Sequence, residues 1–361
     1  MDLRGLEYLI ERPAFLAQTP IIVSEAVLMD VLSDVLRVVR LDGALFFHGE
    51  FSAPWCFSSS ESAAITACLS PHAGHLIIYH FLTEGRAYAR LEDGTREELT
   101  AGDIVVFPHG DAHVLGNGPA VKPVDSFKTF GPNLTEGVKV ARYGGGGELT
   151  RFVCGFLACE PRMSQVFLAG LPPILKVHVV NEPSGQWLEN SIRFSVGQMS
   201  GENDGTGLVL AKLSEVLFVE TLRRYITNLP PDQIGWLAGA RDPFIGQALA
   251  LVHKKPADPW TVEELARCVG LSRTRFAERF NHFLGEPPMS YLARWRVKLG
   301  AELLQSTEQS VAEVAATVGY GSEAAFNRAF KRELNCPPAQ FRRKRNAAPP
   351  TEAVLRKRKG A

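Results

Sequence analysis

The sequence predicts a multidomain α+β protein: an N-terminal antiparallel β-barrel, a helical dimerisation and linker region, and a C-terminal all-α domain with two helix-turn-helix units. Three observations predict it. Between Gly43 and Val153, short runs rich in Phe, Ile, Val and Tyr are broken by glycine turns; between Leu171 and Ile226, apolar residues recur at helical spacing; and the last stretch of chain repeats one pattern twice.

The strand candidates are Gly43 to His48, His75 to Leu82, Ala87 to Leu91 and Ile104 to Phe107, separated by Glu84-Gly85, Asp93-Gly94, Ala101-Gly102 and His109-Gly110. Gly102, Pro108, Gly110, His113 and Asn117 fit GxxxxxPxGxxHxxxN in full. This resembles the second signature of the cupin superfamily, small antiparallel barrels that hold ligands inside. Catalytic cupins also carry a first signature, HxHxxxE or HxHxxxxE, whose residues ligate a metal together with the second-motif histidine. Here it is broken: aligning Leu82 to Gly85 puts Ile78 at the carboxylate position and Gly74 at the second histidine, with only His72 near an expected ligand. His72, His75, His80 and His113 remain weak metal candidates, and a cavity that binds a small organic effector is the stronger reading. Trp55, in a loop-like SAPW segment, and His80 and His113 are the proposed effector contacts. Val121 to Gly147, with four consecutive glycines, reads as a loop near the cavity mouth.

The helical middle opens with LPPILKVH at Leu171 to His178, continues through Gln186 to Gln198, and has its strongest helix at Leu208 to Ile226. The broad apolar face of that last helix suits either a dimer surface or packing within the chain. Leu229 to Ala240, with Pro230-Pro231, reads as a linker.

The repeat carries most of the functional information. Thr261 and Ser310 are hydroxyl N-caps, with Glu264 and Glu313 three positions on as capping-box partners. Val262, Leu265, Ala266 and Val269, matched by Val311, Val314, Ala315 and Val318, form one apolar face per copy, and Gly270 and Gly319 end the helices. Ser272 and Ser322 then open SxxxFxxxFxxxLxxPP runs in which Phe276, Phe280 and Leu284, or Phe326, Phe330 and Leu334, make one buried stripe. Two such units imply a protein that reads DNA.

Asp242 to Arg345 resembles the AraC/XylS family of bacterial transcription regulators, in which a long helix, here Pro288 to Gln305, joins the two units. Gly300 departs from the family's usual alanine, at a cost of about 1 kcal/mol in helix propensity. The resemblance implies base-facing positions at Thr274, Ala277 and Glu278 in the first unit and Glu323, Ala324, Asn327 and Arg328 in the second. Arg273, Asn281, Arg296 and Lys331 complete the DNA-binding set, with Arg273, Arg296 and Lys331 read as backbone contacts or structural ion pairs. The resemblance further implies double-stranded DNA, a small-molecule effector, a second copy of the chain, with Leu208 to Ile226 favoured as the dimer helix, and RNA polymerase as partners, with activation the commoner family behaviour.

Charge divides the chain in the same way. From Arg241 onward there are 21 Lys and Arg against 12 Asp and Glu, and before it 18 against 27, so a basic reader follows an acidic partner. The expected division is residues 1–160 as the sensor, 161–240 as the helical region, 241–345 as the reader and 346–361 as a disordered basic tail.

With 45% hydrophobic and 22% charged residues the composition is that of globular material, and no run approaches a membrane span. MDLRGLEYLIERP has acids where a signal peptide would be apolar, so the expected location is the cytoplasm, with no membrane partner. Six scattered cysteines lack zinc-site spacing; Cys268 and Cys336 read as structural, and Cys154 and Cys159 are the closest pair, with a redox or metal role as the minor alternative. No cofactor is expected and the protein reads as a non-enzyme. The rival is a metal-dependent cupin enzyme fused to a DNA-binding domain.

Overall fold

The computed structural model describes residues 25–39, 41–70, 73–119, 121–134, 139–159, 168, 170–180, 182–198, 206–230 and 233–346. The N-terminal MDLRGLEYLIERP segment, His72 and the basic tail from residue 347 lie outside the described residues.

Strands β1 (Asp42–Ser52), β2 (Trp55–Ser59), β3 (His75–Glu84), β4 (Arg86–Leu91), β5 (Arg96–Thr100), β6 (Asp103–Phe107), β7 (His113–Asn117), β8 (Val124–Asp125), β9 (Lys139–Gly144), β10 (Leu149–Cys159) and β11 (Leu175–His178) form the barrel. One sheet runs β11-β6-β3-β10-β1-β9 and the other β5-β4-β7-β2-β8. The two-residue period of β3 sorts its side chains. Leu76, Ile78 and Leu82 face the interior with Phe51, Trp55, Phe57 and Phe152. Ile77, Tyr79 and Phe81 join a second core shared with the helices.

Three segments depart from the sequence reading. LPPILKVH is not helical: Leu175 and Val177 are buried while Lys176 is exposed, a strand alternation, and β11 pairs antiparallel with β6. Val121 to Gly147 is not a bare loop: it holds β8, helix α3 (Ser126–Leu134) and β9. Trp55 sits at the start of β2, opposite Asn117 of β7, rather than in a loop.

Helices α1 (Glu25–Val39) and α2 (Ser62–Leu69) flank the first strands, and α4 (Pro183–Gln198) and α5 (Thr206–Thr227) follow the barrel. Leu210, Leu213, Leu217, Phe218 and Leu222 of α5 are buried, and the helix lies across β1, β10 and β11. Ser214 Oγ donates to the Leu210 carbonyl at 2.8 Å, so the Tyr79 hydroxyl, 2.5 Å away, donates to Ser214 and ties β3 to α5. The strong apolar face of α5 is therefore spent within the chain. Val209, Val216 and Val219 are left exposed on its other side, with Trp187 and Phe194 exposed on α4.

The supposed linker is also structured. Its second half is α6 (Trp236–Arg241), with Trp236, Leu237 and Ala240 buried, and it packs with the reader helices α7 (Pro243–Lys254) and α9 (Arg273–Leu284). The remaining helices are α8 (Val262–Cys268), α10 (Pro288–Ser306), α11 (Val311–Thr317), α12 (Glu323–Leu334) and α13 (Pro338–Asn346). The N-terminal α1 docks here too, against α6, α7 and α10, burying Val31, Leu32, Val35 and Val39. Each such side chain contributes about 1.5–3 kcal/mol of transfer free energy. One continuous core thus links the outer face of the barrel to the reader.

Candidate nucleic-acid interface and barrel cavity

The two helix-turn-helix units are built by matched local chemistry. Thr261 Oγ1 accepts from the Glu264 amide at 3.1 Å while Glu264 accepts from the Thr261 amide at 2.9 Å. Ser310 and Glu313 repeat the exchange at 3.2 and 2.7 Å. At the other end of α8, Gly270 takes φ 76°, its amide bonds Arg267 O, and the Leu271 amide bonds Ala266 O. Gly319, at φ 86°, does the same with Ala316, and Tyr320 with Ala315. This six-to-one plus five-to-two closure needs a left-handed residue, which glycine supplies without a Cβ penalty. Ser272 and Ser322 then accept from the Arg275 and Ala325 amides, and α9 and α12 end on left-handed Gly285 and Asn335.

Phe276 and Phe280 of α9, like Phe326 and Phe330 of α12, are fully buried, which fixes the opposite faces toward solvent. On α9 that face exposes Thr274, Glu278 and Asn281, with Ala277 half-buried; on α12 it exposes Glu323, Ala324, Arg328 and Lys331, with Asn327 half-buried. The Asn327 amide donates to the Glu323 carbonyl at 3.0 Å. Arg273 pairs with Glu263 across the turn from α8. Sequence reasoning passed over Arg275 and His282 on α9 and Arg332 on α12, which are also exposed. Their three-and-four offsets from Glu278 and Arg328 were the available signal.

Arg296 takes the structural of the two roles the sequence left open for it. Its Nε donates to the Pro256 carbonyl at 2.7 Å and a terminal nitrogen to the Asp258 carbonyl at 2.8 Å, so the guanidinium locks the α7–α8 loop rather than facing DNA. Burial lowers its pKa from the ordinary arginine range. Arg279, unnoticed in the sequence, anchors α9 to Asp242, which also caps α7 through the Phe244 and Ile245 amides.

The reader contains a buried aromatic knot beneath α1. His253 stacks on Trp295 with centroids 3.9 Å apart, and its Nε2 lies 2.8 Å from the Tyr291 hydroxyl, which accepts from Trp236 Nε1 at 2.9 Å. Desolvation holds the His253 pKa at about 3, so the ring is neutral.

In the barrel, Trp55, His80 and His113 all line one cavity of about 50 Å³, with Phe51, Phe57, Phe127, Phe130 and Phe152 among its walls. The α3 helix, read from sequence as loop, supplies Phe127 and Phe130. His80 and His113 are fixed by an ordered chain of hydrogen bonds. His113 Nδ1 lies 2.9 Å from the Asp111 carbonyl, which can only accept, so Nδ1 carries the proton and Nε2 accepts. His80 Nε2, 2.9 Å away, must then donate to it, leaving His80 Nδ1 to accept from the Cys154 thiol at 2.6 Å. Burial supports these neutral forms: it depresses His80 well below its ordinary value, holds His113 at about 4, and pushes the Cys154 thiol well up.

Of the metal candidates within the described residues, His80 and His113 come together and His75 does not join them. His75 falls on the strand phase opposite to His80, and its Nε2 is 2.7 Å from the Pro108 carbonyl. Among the described residues, no three His, Cys, Asp or Glu side chains are arranged to hold a metal ion. Cys154 and Cys159 cannot share a site either, since an odd spacing on β10 turns Cys154 into the barrel core and Cys159 into the helix-facing core. Cys268 is exposed, not buried, whereas Cys336 is buried. No helix among the described residues is long and apolar enough to cross a membrane.

Residues 30–227 match the cupin family and residues 265–344 match a helix-turn-helix domain family. A putative AraC-like transcription regulator of Streptomyces lividans is 33% identical over 87% of this chain and 98% of its own. The HTH-type transcriptional regulator AlkR of Acinetobacter baylyi is 28% identical over 87% of this chain and 99% of its own. The solved DNA-binding domain of AdpA, in complex with a target DNA, is 31% identical over 29% of this chain and 96% of that one, with a TM-score of 0.29. Both relatives are named as transcription regulators, which favours the regulator reading over the fused-enzyme alternative. The chain belongs to the AraC/XylS family of DNA-binding transcription regulators, with a cupin domain ahead of its helix-turn-helix reader.

Proposed function

We propose that this regulator is an effector-responsive activator, a cytoplasmic homodimer acting with RNA polymerase. Residues 1–160, completed by β11, sense; the rest of 161–240 connects and dimerises, with α6 seated on the reader, and 241–345 read DNA. The observation that carries the reading is a single line of structure from cavity to reader. Phe51 of β1 lines the cavity, β1 follows directly on α1, and α1 packs on α6, α7 and α10 of the reader. An effector that prefers one seating of α1 biases the reader by its differential affinity for the two arrangements, and by no more than that.

Thr274, Ala277, Glu278 and Asn281 face one major-groove segment in this reading, and Glu323, Ala324, Asn327, Arg328 and Lys331 the next. The second helix carries more direct readout, because arginine is the commonest bidentate reader of guanine and the first has short or acidic groups. The test is to select bound DNA, map it to target operons, and titrate operator affinity against metabolites of those operons. A metabolite that occupies the barrel and changes operator affinity several-fold supports the reading; barrel occupancy with unchanged operator affinity contradicts it.

A further inference from the structure

We propose that the barrel takes a compact, uncharged, largely apolar molecule bearing one hydrogen-bond acceptor, and that Trp55 Nε1 donates to that acceptor. The inference rests on the reading of the barrel as the sensor and names the chemical class it senses.

The walls fix the apolar part. Phe51, Phe57 and Phe152 pack around Trp55, with Phe51 5.2 Å and Phe152 5.5 Å from it centroid to centroid, and Phe130 lies against Phe51 and Phe57. Among the described lining residues none is Asp, Glu, Lys or Arg. The two histidines are held neutral by burial, so neither supplies a cation for a carboxylate or phosphate, and burying an uncompensated anion here is strongly unfavourable.

The polar inventory fixes the rest. Both nitrogens of His80 and both of His113 are committed to Cys154, to each other and to the Asp111 carbonyl. Ser59 and Ser126 hydroxyls face each other at 3.2 Å where β2 meets α3. Trp55 stands apart: its side chain is 1% exposed, and Nε1 is buried without a hydrogen-bond partner. An unpaired buried donor is costly and is relieved by any occupant that brings an acceptor. Beyond Trp55 and the two committed histidines, the polar side chains of the lining are the hydroxyls of Ser59, Ser60 and Ser126, so a ketone, ester, ether or phenol matches this mostly aromatic wall better than a polyol does.

The test uses full-length protein and four probes of similar size: acetophenone, ethylbenzene, benzoate and glucose. Binding is read by thermal shift and by the indole N–H resonance of Trp55, assigned with Trp55→Phe. Acetophenone is expected to move that resonance and to bind on the order of tenfold more tightly than ethylbenzene, the worth of one net hydrogen bond. Trp55→Phe should collapse that preference to about twofold, and benzoate and glucose should bind at least tenfold more weakly than acetophenone. If benzoate or glucose binds the barrel as well as acetophenone does, the barrel remains a sensor and the proposed ligand class is wrong. If acetophenone binds there without moving the Trp55 resonance, the assigned donor is wrong. If no probe binds the barrel, the proposed ligand class is wrong, and the sensor reading is decided separately by the operator titration.

Discussion

The ring of Phe326 occupies the space that a side chain on Gly300 would need: a Cβ there would lie 2.7 Å from the Phe326 Cζ. Gly300 is buried in α10 and Phe326 anchors α12, so the glycine that looks like a local weakness in the sequence is what lets the second reading helix seat against the connector. Gly300→Ala gains about 1 kcal/mol of helix propensity and incurs about 1–3 kcal/mol of overpacking, for an expected net loss of stability. Urea unfolding should show the loss, and Gly300→Ala combined with Phe326→Leu should recover part of it. A single variant more stable than the parent would contradict the packing argument.

Three buried neutral histidines set a pH dependence. His253 at about 3, His113 at about 4 and His80 well below normal are all depressed relative to an unfolded value near 6.5. The unfolded chain therefore binds more protons below about pH 6.5, and stability present above that pH is lost as the pH falls toward each folded value. Each histidine contributes a slope of up to about 1.4 kcal/mol per pH unit in that window. Denaturant midpoints between pH 7.5 and 5 should fall accordingly, and His253→Phe, which keeps a ring against Trp295, should flatten the slope. An equal slope in that variant would show that His253 is not held neutral.

Arg328 and Arg296 should separate cleanly. Arg328 is exposed on α12, and its replacement by alanine is expected to weaken specific operator binding by about 1–3 kcal/mol with the unfolding midpoint unchanged. Arg296 bonds the Pro256 and Asp258 carbonyls, so Arg296→Ala should lower the unfolding midpoint and leave the salt slope of DNA binding as it was. Quantitative footprinting across salt concentrations, beside thermal melts, distinguishes the two.

The exposed apolar residues Trp187 and Phe194 of α4 and Val209, Val216 and Val219 of α5 are the expected contact between two copies. Phe194→Glu with Val216→Glu should shift sedimentation from dimer to monomer while the folded chain's circular dichroism stays the same. Persistence of the dimer would place the contact elsewhere.

What the sequence made legible was what local chemistry determines. The caps at Thr261 and Ser310, the turns at Gly270 and Gly319, and the stripes of Phe276 and Phe326 each depend on residues within a few positions, and each is found in the fold. The alternation of β3 likewise put His80 beside His113. The misses were tertiary. LPPILKVH became a strand because β6 offered an edge to pair with, and α3 formed despite Gly131-Pro132 because Phe127 and Phe130 could close the cavity. Trp236 and Leu237, beyond a Pro-Pro pair that suggests a linker, are buried because the reader provides Tyr291 and α9 to receive them. No local signal in α1 announces a surface more than 200 residues away in sequence, on α7 and α10.

Whether α9 and α12 read two successive segments, with α12 carrying more of the polar base readout, is decided by selecting binding sequences for the parent and for Arg328→Ala. The parent site should have two conserved elements about one helical turn apart, roughly 10 base pairs, and Arg328→Ala should relax it at a position within one element only. A single-element site, or an Arg328→Ala site identical to the parent's, would contradict that reading.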